Sequence, residues 1–432
     1  MREMKDSGIE WIGEIPKEWQ SRKLFGLLSS VGSGTTPKGD EYYSGNGFPW
    51  LNTGDLNDGY ISETSKYVTE DALRDCSALQ IHKAGSVVIA MYGATIGKLG
   101  ITEIDVTTNQ ACCVMNPSKD LEQKYLFYLL SAAKDYFIYS SYGAGQPNIS
   151  QNTIKQLKIP YTCIQEQKRI ADYLDSQCAK IDSIIEKQQA IIEKLIEYKL
   201  SVITEAVSIG IDGKKELRET GIPWIEAMPT EWKIARIKYN FYLKGRIGWQ
   251  GLKANEFIDE GPFLVTGTDF IKGRVNWNTC YHISQERYDE APEIHVKLGD
   301  LLITKDGTVG KVAYIDEKPE QVSLNSHLLI MRPTNNEYSN RFLFWVIQSG
   351  IFKKFFGLTQ NGTIMASLSQ EKITDFIYIM PRFEEQERIS KYLEKEIARV
   401  DSNIEKKLLV IDKLNDYKKS LIYEVVTGKK EV

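Results

Sequence analysis

"EQKRIADYLDSQCAKIDSIIEKQQAIIEKL" (Glu166–Leu195) is written a second time as "EQERISKYLEKEIARVDSNIEKKLLVIDKL" (Glu385–Leu414), in the same register. Adding 219 to a residue number finds its counterpart, and about half of the positions from Glu166 to Val207 are identical, among them Gln167/Gln386, Tyr173/Tyr392, Asp182/Asp401 and Tyr198/Tyr417. Apolar or small residues recur at alternating four- and three-residue spacing through Leu174, Cys178, Ile181, Ile185, Ile192, Leu195, Val202 and Ala206. The second copy repeats them as Leu393, Ile397, Val400, Ile404, Ile411, Leu414, Leu421 and Val425. This is a seam of the coiled-coil type. Gln188/Lys407 and Lys199/Lys418 interrupt both seams at matching places, and such interruptions fix register at a cost in stability. A helix of this kind is stabilised by burying its apolar face, and the simplest partner for each copy is the other. Antiparallel pairing also suits the chain path: the first helix leaves one domain and reaches the next, and the second returns. About 43 residues rise about 65 Å.

The duplication extends beyond the helices. "SGIEWIGEIPKEW" (Ser7–Trp19) matches "TGIPWIEAMPTEW" (Thr220–Trp232), and "GSVVIAMYGATIGKLGI" (Gly85–Ile101) matches "GDLLITKDGTVGKVAYI" (Gly299–Ile315). "YLFYLL" answers "FLFWVI", and "NISQNTI" answers "SLSQEKI". Each half therefore reads as an IPxxW opening, a β-rich globular domain and a long helix. The expected fold is α+β: two similar β-rich mixed domains (1–160 and 211–381) joined by two long helices (161–210 and 382–428) that form an antiparallel coiled coil, the whole pseudo-two-fold. The frame is repeated but loops diverge: "VGSGTTPKGDEYYSGNGFPWLNTGDL" has no close copy opposite "YLKGRIGWQGLKANEFIDEGPFLVTGTDF". A rigid frame with different loops is how one scaffold carries two binding specificities.

Composition narrows the classes. A length of 432 residues implies more than one domain, and 42% hydrophobic with 26% charged residues is globular. The charged N-terminus lacks the apolar run of a signal peptide, and no stretch approaches a membrane span. Six cysteines without a CxxC pair fit reduced thiols, and the expected compartment is cytoplasmic. Net charge is −4, which opposes a lone nucleic-acid binder unless basic surface is segregated or supplied by a partner.

Catalytic signatures are missing. "GATIGKL" (Gly93–Leu99) and "GTVGKV" (Gly307–Val312) lack GxxxxGK[ST] spacing and read as a turn between two strands. The four histidines have no metal-ligand spacing, and His82 and His295 occupy matching "IH" positions that read as structural. No methyltransferase (N/D)PP(Y/F) motif or cofactor loop stands in the chain. These residues bind and position, with no catalytic set and no metal site.

Two IPxxW-led variable domains, each followed by an "EQ(K/E)RI…YL…ID…I…K" helix, resemble the specificity (S) subunit of Type I restriction–modification systems over nearly the whole chain. The resemblance implies a non-catalytic DNA-recognition subunit with two target recognition domains. Each domain would read one half of a split site on double-stranded DNA, and the coiled coil would set the spacer and dock two methyltransferase (M) subunits. It further implies S-adenosylmethionine in the M subunits and ATP with Mg in restriction (R) subunits where these join, with no cofactor in this chain. The natural base readers are polar and aromatic loop residues: Thr35, Thr36, Lys38, Asn52, Thr53, Tyr92, Gln146 and Asn148 in the first domain. In the second they are Arg246, Trp249, Gln250, Lys253, Thr266, Lys305, Asn325 and Gln360. Thr53/Thr266 and Asn109/Asn325 match across the repeat and serve equally well as frame residues. The competing reading is a two-domain interaction scaffold that binds protein or glycan through the same loops, which the acidic balance favours.

Overall fold

Alternating burial along short apolar strands builds each globular part. In the first, Val87, Ile89, Cys113 and Met115 face one apolar cluster, while Val88, Ala90, Cys112 and Val114 face another. A strand whose successive side chains point to opposite faces needs apolar residues at every position when both faces are covered. The adjacent Cys112 and Cys113 are therefore neighbours on opposite faces of one strand. Leu301 and Ile303 against Leu302, and Leu329 and Met331 against Leu328 and Ile330, repeat the arrangement in the second part.

The computed structural model describes residues 2–141, 148–213, 215–246, 252, 254–359 and 368–432. The chain divides into two compact units, Met1–Gln188 with Leu409–Val432, and Gln189–Leu408. The boundary falls inside the helices, so each unit holds one globular part and a portion of both. In the first unit, a five-stranded sheet runs in the order Leu28–Gly32, Cys112–Pro117, Val87–Ala90, Leu99–Thr102, Gly59–Ile61. A three-stranded sheet places Tyr43–Leu51 between Thr107–Thr108 and Lys66–Val68. The second unit has a four-stranded sheet, Phe241–Gly245, Leu328–Pro333, Leu301–Thr304, Val312–Tyr314, and a three-stranded one with Ile258–Val265 between Tyr281–His282 and Val322–Leu324. "GATIGKL" and "GTVGKV" close hairpins in the two larger sheets.

The repeated EQ pair anchors each long helix. Gln167 is fully buried; its Oε1 accepts from the Glu122 amide at 2.8 Å and its Nε2 donates to the carbonyls of Thr162 and Asp120 at 2.7 and 3.1 Å. Gln386 does the same with the Ser339 amide and the carbonyls of Pro381 and Glu337, at 2.9, 3.0 and 2.9 Å. One amide side chain thus joins the start of the long helix to the start of an earlier short one, Gln123–Ala132 in the first unit and Asn340–Gln348 in the second. The IPxxW motif forms a turn in which Trp19 and Trp232 amides donate to the carbonyls of Pro16 and Pro229 at 2.9 and 3.0 Å. Trp19 Nε1 donates to Glu166 at 3.1 Å; at the second copy Lys215 pairs with Glu385 and lies over the Trp232 ring.

The long helices, Ile164–Ile209 and Phe383–Val426, pack against each other. In the first unit Leu174, Cys178 and Ile181 share a core with Leu421, Ile422 and Val425, with Ile185 and Leu414 half-buried beside it. In the second, Ile203, Ala206 and Val207 share a core with Ile389, Leu393 and Ile397. Val400 is buried, and Ile192, Leu195, Ile404 and Ile411 are half-buried. The lysines that interrupt the seams find partners: Lys418 Nζ donates to both oxygens of Asp182 at 2.7 and 2.6 Å in the first unit, and Lys199 Nζ to both of Asp401 at 2.6 and 2.8 Å in the second. The numbers of each pair sum to the same value and the pairs interchange under the repeat, which is the signature of antiparallel, reciprocal pairing. The end of the second helix meets the N-terminal hairpin, where Tyr423 OH donates to the carbonyls of Trp11 and Ile12 at 3.2 Å. Among the described residues, no helix is long and apolar enough to cross a membrane.

Candidate nucleic-acid interface

The loops that diverge between the halves converge, in each unit, at the end of a parallel strand pair. In the first unit Leu51 lies beside Thr108, and the Asn109 amide donates to the Leu51 carbonyl at 3.1 Å. The chain then turns at Asn52, whose amide donates to Asp55 at 2.9 Å and whose side chain accepts from Gly54 and donates to Ser65. Residues 33–38 fold over this point. The Gly34 amide donates to Thr108 Oγ1 at 2.9 Å, and a Cβ on Gly34 would stand 1.8 Å from the Thr108 carbonyl oxygen, so only glycine fits. Trp50 Nε1 donates to the Thr35 carbonyl, Thr36 Oγ1 to Gln110 at 2.8 Å, and Gln151 to Ser33 at 2.9 Å. Tyr92 and Asn148 form a β-bridge, while Met91 between them and the sheet bonds to Ala111 and Ile149.

These bonds bring Thr35, Thr36, Asn52, Tyr92 and Asn148 onto one connected patch. Thr53 is half-buried inside the Asn52 turn and Lys38 is exposed beyond Pro37. Burial raises the Tyr92 phenol above its ordinary pKa, so it stays a neutral donor and acceptor. Ser33, Gln110 and Gln151 belong to the same patch; only the non-local pairing of 33–36 with 108–110 discloses them.

The second unit builds the equivalent place from different side chains. Val265 lies beside Leu324, and the Asn325 amide donates to the Val265 carbonyl at 2.9 Å. Thr266 caps a short turn, its amide and hydroxyl both donating to Asp269 at 2.7 and 2.8 Å. The equivalent of Thr266 is thus Asn52, one residue from the Thr53 that the sequence match suggests, because Asn52 and Asp55 make the same backbone-to-carboxylate bond. Asn325 Oδ1 accepts from the His327 amide at 3.0 Å, as Asn109 Oδ1 accepts from Ala111, so both asparagines shape the frame. Lys305 is half-buried and its backbone bonds to His327 and Leu368.

Arg246 is only 3% exposed, with Nε donating to the Leu324 carbonyl and Nη2 to Ser323 Oγ, both at 2.9 Å. It stands where Gly34 stands in the first unit and reaches the same strand end with a side chain instead of a backbone amide. Burial lowers its pKa from the ordinary value. A guanidinium engaged in this way ties the end of the Phe241–Gly245 strand to the end of the Val322–Leu324 strand. His82 and His295 also separate: the His82 amide bonds to Val106 as the Val296 amide bonds to Val322, so the equivalent of buried His82 is Val296. His295 instead stacks on Tyr288 at 3.7 Å between ring centroids. Gln146, Trp249, Gln250, Lys253 and Gln360 lie outside the described residues. Among the described residues, no group of three or more His, Cys, Asp or Glu side chains is placed to hold a metal ion.

A family model described as "Type I restriction modification DNA specificity domain" matches residues 16–194 and again 250–411. The chain is 21% identical over 420 residues to the Type I restriction enzyme MjaVIII specificity subunit of Methanocaldococcus jannaschii, covering 96% of this chain and 93% of that one. It is 21% identical over 331 residues to the EcoBI specificity subunit of Escherichia coli, covering 74% and 69%. Among solved structures, a chain described under complex assembly and conformational transition of the type I R-M system superposes with a TM-score of 0.74 at 14% identity, covering 96% of this chain and 99% of that one. The HsdS subunit from Thermoanaerobacter tengcongensis superposes at 0.53 with 15% identity, covering 96% and 98%.

Proposed function

We propose, from the premise that this chain belongs to the DNA specificity subunits of Type I restriction–modification systems, that each of its two target recognition domains reads one half of a bipartite DNA site and that the paired helices set the unread spacer. The subunit itself is non-catalytic. One observation carries the division of labour: a single backbone frame occurs twice and presents different side chains at an equivalent place, Tyr92 in one unit and Asp306 in the other. Identical frames keep the geometry of approach to the duplex, and unlike side chains give unlike half-sites.

The reciprocal Lys418–Asp182 and Lys199–Asp401 pairs support the spacer reading, since they define one antiparallel register and disfavour its neighbours. Half-sites read from one face of DNA fall about one turn apart, roughly 34–36 Å. Each unit also leaves apolar side chains exposed on its helices: Ile184, Leu409, Val410 and Tyr417 in the first, Ile191, Ile196, Tyr198, Tyr392 and Leu408 in the second. These suit one methyltransferase subunit per unit. S-adenosylmethionine then belongs to those subunits, and ATP with Mg to restriction subunits that join the assembly. Basic surface on the methyltransferase would offset this chain's net charge of −4.

Exchanging residues 30–150 for the corresponding part of a relative tests the proposal. The methylated motif should change in one half only; a change in both halves, or in neither, rejects one domain for one half-site.

A further inference from the structure

We infer that Asp306, held by His327, is a specificity-determining residue of the second target recognition domain and accepts a hydrogen bond from an exocyclic amino group, cytosine N4 or adenine N6, in the major groove. The inference rests on the reading of the two domains given above.

The backbone at this position is fixed from several sides. The Lys305 amide donates to the His327 carbonyl at 3.0 Å, its carbonyl accepts from Leu368 at 2.8 Å, and the Gly310 amide closes the hairpin on Thr304 at 2.9 Å. Gly307 follows at φ +71°, in the left-handed region. The first unit repeats every part: Met91 to Ala111 at 2.8 Å, Ile149 to Met91 at 2.7 Å, Gly97 to Ala90 at 2.9 Å, and Gly93 at φ +84°. The residue so presented is Tyr92 in one unit and Asp306 in the other. A position whose preceding residues are held by so many backbone bonds, yet whose side chain differs between the two units, is built to vary what is read without moving the reader.

Asp306 is then oriented. His327 Nδ1–H donates to its Oδ2 at 3.2 Å, and His327 is placed in turn by the Asn325 side chain. The side chains of His327 and Asp306 are 64% and 41% exposed, and Asp306 has no Lys or Arg partner among the described residues. An ionised carboxylate is an acceptor only. Brought to a polyanion without a cation beside it, it is repelled unless it receives a donor, and the donors on base edges in the major groove are the amino groups of cytosine and adenine. Neighbouring Lys305, expected among the base readers, is half-buried; the repeat pairs Tyr92 with the next residue, Asp306.

The test compares methylated motifs, by long-read sequencing, from cells expressing the wild-type chain, Asp306→Asn or His327→Gln with the cognate methyltransferase subunits. Asp306→Asn should alter base preference about tenfold at one position of one half-site. The other half-site and the spacer should stay as they are. His327→Gln, acting through orientation, should weaken preference at the same position by less. Tyr92→Phe should affect only the opposite half-site. An Asp306→Asn motif identical to wild type at every position overturns the inference. So does a uniform fall in methylation across all sequences with the assembly intact, since that marks a general loss of affinity. A wild-type chain that yields no bipartite motif refutes the underlying reading instead, and so separates the two failures.

Discussion

Reversing one of the reciprocal ion pairs should destabilise one unit and spare the other. Lys418→Glu turns the contact with Asp182 from attraction to repulsion. The side chains there are 29% and 48% exposed, and those of Lys199 and Asp401 28% and 31%. At an effective dielectric constant of about 20, unit charges about 3.5 Å apart interact by roughly 5 kcal/mol. Exposure returns most of that to solvent, and ordering two long side chains removes more, so about 1 kcal/mol remains for the intact pair. Repulsion of similar size brings the loss to about 2 kcal/mol, or about 4–8 °C in the melting temperature of a unit of this size. Differential scanning calorimetry should show the shift in the transition of the first unit for Lys418→Glu, and in that of the second for Lys199→Glu. Restoring opposite charges in Asp182→Lys/Lys418→Glu should recover most of the loss; since each single reversal costs about 2 kcal/mol, the coupling energy should be about 3–4 kcal/mol. A coupling below about 0.5 kcal/mol, or both single variants moving the same transition, refutes the reasoning.

Gly34→Ala forces a Cβ against the Thr108 carbonyl oxygen at 1.8 Å, so residues 33–38 must move; recognition of the first half-site should fall at least tenfold in a binding assay while the second is retained. Gln386→Ala strands the Ser339 amide and two carbonyls in a buried place, which should cost about 2–4 kcal/mol in urea unfolding; a loss under about 1 kcal/mol would show that the anchor is dispensable. His82 is buried, its Nε2 lacks a hydrogen-bond partner among the described residues, and burial lowers its pKa. The unfolded chain therefore takes up the proton first, and stability falls as pH drops below the ordinary histidine value of about 6.5. His82→Val, which copies Val296, should flatten the decline between about pH 7 and 5 by up to about 1.4 kcal/mol per pH unit; an unchanged slope contradicts the burial argument. Inserting one heptad into both helices should lengthen the spacer of the recognised site, and an unchanged spacer would exclude the helices as its ruler.

The helices were legible because their information is local. A seven-residue apolar rhythm, repeated at a constant offset, predicts the seam and its partner, and the Gln167/Gln386 anchors sit within the same motif. The strand-end patch depends on non-local pairings, Leu51 with Thr108 and Val265 with Leu324, which leave no periodic trace. The offset between halves is 219 in the helices but 214 at Asn52/Thr266 and 216 at Asn109/Asn325. Small insertions between elements therefore misplaced Thr53 and His295 by one residue. Burial of Arg246 was hidden for a related reason: an arginine in a divergent loop reads as a reader of guanine until the Leu324 carbonyl is found beside it.

The proposed function is the reading of two half-sites across a fixed gap. Its most direct test is methylation-sensitive long-read sequencing of DNA from cells that carry the chain with its cognate methyltransferase subunit, and from cells lacking the chain. N6-methyladenine should appear in a split motif with a constant unread spacer and be lost when the chain is deleted. Methylation confined to one continuous motif, or unchanged by the deletion, would contradict that function.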